Sequence, residues 1–156
     1  MLVLRVNTLI SLVLVLFATW FTATERPSTA SNAVPQPTPG MSEYRGVSIG
    51  MATDDVRKKL GNPKDKSDAM DLYIFSDNEN AQFYYNAAKT VTAIMITYSG
   101  DLKDAPSPKT VLGEDAEAKP DGGIFKMVRF PKAGFWISYN RTPAPDAIVN
   151  IAFQKM

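Results

Sequence analysis

Five carboxylates fall within one short stretch, Asp65, Asp68, Asp71, Asp77 and Glu79, and a second group, Glu114, Asp115, Glu117 and Asp121, surrounds Lys119 and Pro120. Clustered carboxylates can hold a divalent cation or exchange protons with a substrate. The first group does not fit a calcium loop of the EF-hand kind, which needs glycine at its sixth position and glutamate at its twelfth. Both groups read as solvated loops. The carboxylate pair of glycoside chemistry stands roughly 5 to 10 Å apart, a distance that spacing along a chain does not supply. Gly122-Gly123 has no phosphate-loop pattern after it and reads as a hairpin or strand entry. Histidine and cysteine are both absent. That removes the serine–histidine triad, the cysteine–histidine nucleophile, the zinc finger, the two-histidine zinc helix and covalent haem attachment. No catalytic residue, metal ligand or cofactor is assigned, and the chain reads as a binding protein rather than an enzyme.

The aromatic residues are more informative. The sixteen Trp, Tyr and Phe include Tyr73, Phe75, Phe83, Tyr84 and Tyr85 in one region and Phe125, Phe130, Phe135, Trp136 and Tyr139 in another. Most belong to a core. Neighbouring residues of a strand point to opposite faces, so Tyr84 and Tyr85 cannot both be buried, nor Phe135 and Trp136, unless the sheet is covered on both sides. If one side is covered, Tyr84 and Trp136 are surface aromatics of the type enriched at binding hot spots. Gln82 shares that face and Arg129 is a polar companion. These four residues, Gln82, Tyr84, Arg129 and Trp136, are the candidate partner-binding site.

The elements that must position them can be read from period and punctuation. Thr53 is a suitable N-cap, Asp54 and Asp55 occupy the first helical turn, and Gly61-Asn62-Pro63 ends the segment, which predicts a helix over 53–60. Arg57, Lys58 and Lys59 read as a solvated side that also favours the carboxyl end of the helix dipole. The period then becomes alternating. Leu72–Ser76, Ala81–Asn86 and Val91–Tyr98 are rich in aromatic and β-branched residues and are joined by short polar links, as in an antiparallel meander. The same order returns after Pro106 and Pro108: a one-turn helix at Lys109–Gly113, then strands at Ile124–Phe130, Gly134–Asn140 and Ile148–Gln154. Phe83-Tyr84-Tyr85-Asn86 matches Ile137-Ser138-Tyr139-Asn140, and Val91-Thr92-Ala93 matches Val149-Asn150-Ile151. The expected fold class is α+β, two small helix-plus-meander halves (about 44–104 and 105–156) packed together. Short helices cover one sheet face, with Phe83, Tyr85, Phe135, Ile137 and Tyr139 on one side and Gln82, Tyr84, Trp136 and Ser138 on the other. Halves this small need a shared core, because no disulfide is available to staple them.

Ahead of this lie a leader, residues 1–24, and a Pro/Ser/Thr-rich linker, residues 25–43. Val6 to Thr24 are 19 residues without a charge, about 28 Å as a helix, close to the bilayer core. The strongly apolar part, Thr8 to Phe17, also suits the h-region of a cleaved signal peptide. An N-terminal hydrophobic helix that anchors the chain and a cleaved signal both place the rest outside the cytoplasm, in the periplasm or at the cell surface. Four of the eleven prolines lie in the linker, which is too poor in large apolar residues to fold and reads as an extended tether. Arg5 is the only charge before Glu25, so residues 25–156 carry sixteen charges of each sign. That balance does not favour nucleic acid or another polyanion.

Val47-Ser48-Ile49-Gly50-Met51-Ala52-Thr53-Asp54-Asp55-Val56, followed by Leu60-Gly61-Asn62-Pro63, resembles the opening of the BamE family, also called SmpA/OmlA. Its domains begin with an apolar residue, Gly-Met, an acidic helix start, Val and Leu-Gly-x-Pro. Tyr73-Ile74-Phe75 and Phe83-Tyr84-Tyr85-Asn86 fall where that family has its first two strands, and the clear match covers residues 47–98. The helix-then-sheet unit used twice is similar to the β-lactamase inhibitory protein fold. The resemblance implies protein binding in the cell envelope. The chain departs from BamE-type lipoproteins in lacking a cysteine after the leader, and from the inhibitors in lacking disulfides. The expected function is an exported, membrane-tethered module that binds an unidentified envelope protein through an exposed aromatic sheet face, with the membrane contacted through residues 6–24. A secreted inhibitor or sensor and a binder of small apolar ligands are the alternatives.

Overall fold

The structure, a computed structural model, describes residues 36–156. The expected leader, with its hydrophobic helix, and most of the expected linker lie outside the described residues. Among the described residues no helix is long and apolar enough to cross a membrane.

The described chain is α+β and mostly sheet. Helix α1 (Thr53–Leu60) leads into β1 (Asp65–Lys66), β2 (Met70–Ser76), β3 (Glu79–Tyr85) and β4 (Val91–Tyr98). A 3₁₀ turn (Leu102–Asp104) and helix α2 (Pro108–Leu112) precede β5 (Ile124–Phe130), β6 (Phe135–Arg141) and β7 (Val149–Lys155). All seven strands form one antiparallel sheet in the order β1-β2-β3-β4-β7-β6-β5. Two three-stranded meanders therefore meet along β4 and β7. At that seam Ile94 faces Phe153 and Ile96 faces Ile151, all four completely buried.

One face of the sheet carries the core. Phe83, Ile94, Phe153, Ile137 and Val128 form a continuous cross-strand row, with Ala81, Ile96, Ile151 and Tyr139 beside it. Val56 of α1, Val111 and Leu112 of α2, and Tyr44 and Val47 of a preceding turn close over this face. The turn's Tyr44 ring stacks on Phe83 at 6.3 Å between centroids and meets Phe75 edge-on at 5.9 Å. The chain is already seated just before that turn: the Met41 amide donates to the Val111 carbonyl at 3.1 Å. Gly40 lies so close to Thr110 and Gly113 that a Cβ would fall 2.2 Å from the Thr110 carbonyl oxygen.

Several local readings are corrected. Ala52 rather than Thr53 occupies the N-cap of α1, and no side chain caps the helix. The Thr53 hydroxyl donates instead to the Lys89 carbonyl at 3.0 Å, because that residue faces the β3–β4 loop. Gly61, which ends α1, has positive φ with an extended ψ of −154°, a combination essentially confined to glycine. Gly113 is the left-handed cap, ending α2.

The larger correction concerns charge. Asp71 is no solvated loop residue. It is completely buried on the core face, opposite Phe83, and accepts from Arg57 through both oxygens at 2.8 Å and from the Tyr85 hydroxyl at 2.9 Å. Arg57 is accordingly not part of a solvated basic face: its guanidinium pins α1 to the sheet and also donates to the Ser67 carbonyl at 3.0 Å. Glu79 is likewise drawn in, accepting from Tyr44 at 2.7 Å, Arg45 at 2.7 Å and Tyr98 at 3.2 Å.

Breaking a buried ion pair leaves an uncompensated group, at a cost of about 2 to 4 kcal/mol. Asp71→Ala is expected to lower the unfolding free energy measured in urea by that amount, whereas Asp68→Ala, in the same acidic stretch but exposed, leaves it unchanged. Burial alone would push the Glu79 carboxyl up, but the hydrogen bonds from Tyr44 and Arg45, the Arg45 charge and the Tyr98 hydroxyl together hold it below the ordinary carboxylate value. A carboxylate with a depressed folded value stabilises above its unfolded value and loses that contribution as pH falls through the folded one. The melting temperature is expected to drop on acidification below about pH 4, and Glu79→Gln to flatten that part of the profile.

Candidate functional site

The sheet face opposite the helices is built from three rows, each crossing six strands. The first runs Met70, Tyr84, Ala93, Gln154, Trp136, Arg129, and the central one Leu72, Gln82, Met95, Ala152, Ser138, Met127. The third runs Ile74, Asn80, Thr97, Asn150, Asn140, Phe125. None of these eighteen residues is buried, and Arg129 is the one charged residue among them. Ile74, Met95, Phe125 and Met127 are four of the five large hydrophobics exposed in the described chain. The described part of the chain lays no element over this face.

All four sequence-predicted residues stand on it, and they form two pairs. The Tyr84 hydroxyl donates to the Gln82 side-chain carbonyl, two residues back on the same strand face. Arg129 is the direct cross-strand neighbour of Trp136. Tyr84 and Trp136 lie in the same row with Ala93 and Gln154 between them, three strand spacings or about 14 Å apart. Both rings are half-buried and Arg129 is exposed. The site is thus an open, nearly uncharged sheet face, on which Ala93 and Ala152 and the exposed Met95 lie on β4 and β7 between the strands of Tyr84 and Trp136. Thr97 donates to the Asn150 side chain at 2.9 Å, which gives the face a polar strip along one margin.

What sequence reasoning missed is how much of the face is apolar away from the aromatics. Met95, Met127, Ile74 and Phe125 each alternate with a buried neighbour along their strands, a period-two signal as legible as the one at Tyr84. Their alignment into one surface depends on strand order, which the period does not carry.

Asp71 and Glu79, the two carboxylates drawn into the fold, lie on the other face and are engaged by Arg57, Arg45 and tyrosine hydroxyls. Burial first, then the Glu79 charge and hydrogen bond, pushes the Tyr98 hydroxyl up to about 12, so it stays a proton donor at neutral pH. A cleft of about 320 Å³ at the start of α1 contains Arg57 and Lys89, but both cations are already paired, with Asp71 and Asp68. No family model, curated protein or solved structure matches this chain.

With Trp20 replaced by Phe in the full chain, Trp136 becomes the sole indole. Its emission is expected at long wavelength and open to acrylamide quenching, whereas a blue-shifted, shielded signal would contradict the open face. Tyr84→Ala is expected to cost no more than about 1 kcal/mol by urea unfolding, against about 3 to 5 for Phe83→Ala on the covered side.

Proposed function

We propose that this chain is an exported protein-binding module whose partner, a protein of the cell envelope, docks on the open sheet face around Tyr84, Trp136, Gln82 and Arg129. Residues 6–24 tether it to the membrane or, if cleaved, release it. The observation that carries the reading is the composition of that face: eighteen exposed or half-buried positions across six strands, one charge, and most of the exposed large apolar side chains of the described chain. Large apolar side chains gathered in the open on one face thin in charge are the kind of surface that marks an interaction site. Aromatic residues beside amide and guanidinium groups, with charges thin, match the composition of interface centres. Export and extracytoplasmic location rest on the uncharged leader. The tandem BamE-like and inhibitor-like reading is supported by the order helix, then three paired strands, met twice in α1-β2-β3-β4 and α2-β5-β6-β7. The face is open rather than enclosed, which favours a macromolecular partner over a small apolar ligand.

The test uses the full chain as bait in detergent-solubilised envelopes, beside a Tyr84→Ala, Trp136→Ala double variant and a Lys58→Ala control on the helix side. The expected result is a protein retained by the wild type and the control and depleted at least tenfold by the double variant, at unchanged melting temperature. Equal retention by all three, or a co-purifying metabolite in place of a protein, would overturn the reading.

A further inference from the structure

On the covered side, the last residues of β6 form a polar site away from the open face. Tyr139 and Arg141 stand two positions apart on that strand and so share a face, with Arg141 opposite Val149 of β7 and Ile124 of β5. The 3₁₀ turn and residues 105–108, which lead into α2, leave two adjoining clefts beside them, of about 210 and 330 Å³, that share Leu102 and Arg141. Leu102, Pro106, Pro108 and Val149 give the smaller, inner cleft its apolar walls, and Tyr139, Arg141 and Ser107 its polar ones.

Two of those polar groups have unused hydrogen-bonding capacity. Arg45 and Arg57 are each paired with a carboxylate, whereas Arg141 has no carboxylate partner among the described residues. Its guanidinium donates to the Gly122 carbonyl at 2.9 Å, which leaves further N–H donors over. Tyr139 is only 3 % exposed, and its hydroxyl makes no hydrogen bond among the described residues. No fully enclosed side-chain oxygen or nitrogen there lacks a partner, so this hydroxyl opens into the cleft that it lines. Burial pushes it above the ordinary tyrosine value, against an opposite pull from the Arg141 charge, so it is a proton donor at neutral pH. The Ser107 hydroxyl, by contrast, is engaged in accepting from the Thr110 amide at 3.2 Å. Asp121 lines only the outer cleft, where its carboxylate accepts from the Gly123 amide at 2.8 Å. An anion is therefore favoured in the inner cleft rather than the outer one.

We propose that the inner cleft binds the carboxylate of a ligand with a short aliphatic body, held by the Arg141 guanidinium and the Tyr139 hydroxyl, its apolar part against Leu102, Pro106 and Val149. A carboxylate only accepts hydrogen bonds and a guanidinium only donates them, so one ligand group satisfies both unpartnered side chains. At roughly 30 Å³ per water-sized group the cleft has room for about seven, the size of a five-carbon acid. A free acid and the carboxyl end of a polypeptide present the same group. The site is on the covered side, so its ligand does not compete with a partner on the open face.

The full-length protein in detergent is titrated calorimetrically with pentanoate and with pentanamide, its uncharged isostere. Pentanoate is expected to bind saturably and the amide at least tenfold more weakly. Tyr139→Phe, which removes only the hydroxyl, is expected to weaken pentanoate about fivefold, and Arg141→Gln at least tenfold. Arg129→Gln, on the open face, is expected to leave it unchanged. Acetylvaline binding more tightly than pentanoate identifies a polypeptide end as the source of the carboxylate, and weaker binding a free acid; both support the site. Acid and amide binding equally, no saturable binding of pentanoate or acetylvaline, or the same loss from Arg129→Gln as from Arg141→Gln would overturn the proposal. The contrast between acid and amide needs no variant, so it decides the matter even where Arg141→Gln fails to fold. Loss of partner capture in the double variant above leaves these titrations unchanged, so the two readings fail separately.

Discussion

The seam between β4 and β7 is the constraint on which the rest of the structure depends. Each half supplies one short helix and three long strands, too little to bury a core alone, and a chain without cysteine has no covalent means to compensate. Pairing Ala93–Tyr98 with Val149–Gln154 brings Ile94, Ile96, Ile151 and Phe153 together at full burial. A single core then serves both halves. The same seam makes the uncovered side continuous, since it aligns Tyr84 on β3 with Trp136 on β6 in one row.

Cover is supplied unequally. Helix α1 is held by an ion pair as well as by Val56, because Arg57 reaches a carboxylate that would be costly to bury alone. Helix α2 is only five residues long, with Ser107 accepting from the Thr110 amide at its start and Gly113 at its end. It is held by Val111 and Leu112 and by the backbone of Met41. Thus the groups best suited to chemistry, Asp71, Glu79, Arg57 and the buried tyrosines, are engaged in fastening helix and turn to the sheet. The uncovered side is left with uncharged side chains apart from Arg129. A division of this kind fits recognition, where desolvation is cheap on a face with few charges.

The sheet's two edges extend that logic. One is shortened, charged and irregular, while the other is long and regular and carries Phe125 and Met127 in the open.

Much of this was legible before any coordinates. Strand alternation is local, fixed by the opposite directions of successive Cβ atoms, so the opposing faces of Phe83 and Tyr84, or of Ile137 and Trp136, followed from the residues alone. So did the helix over 53–60 and the one-turn helix before Gly113, since glycine and proline act within a few residues of where they stand. Tertiary structure decided what depends on residues distant in the chain. Asp71 reads as a loop carboxylate until Arg57 and Tyr85, each 14 positions away, converge on it. Glu79 reads the same way until the Tyr44 turn closes over it. The union of Tyr84, Met95, Trp136 and Arg129 into one surface required β7 to lie beside β4 rather than β5. Periodicity records which way a side chain points, but only packing records what stands opposite it.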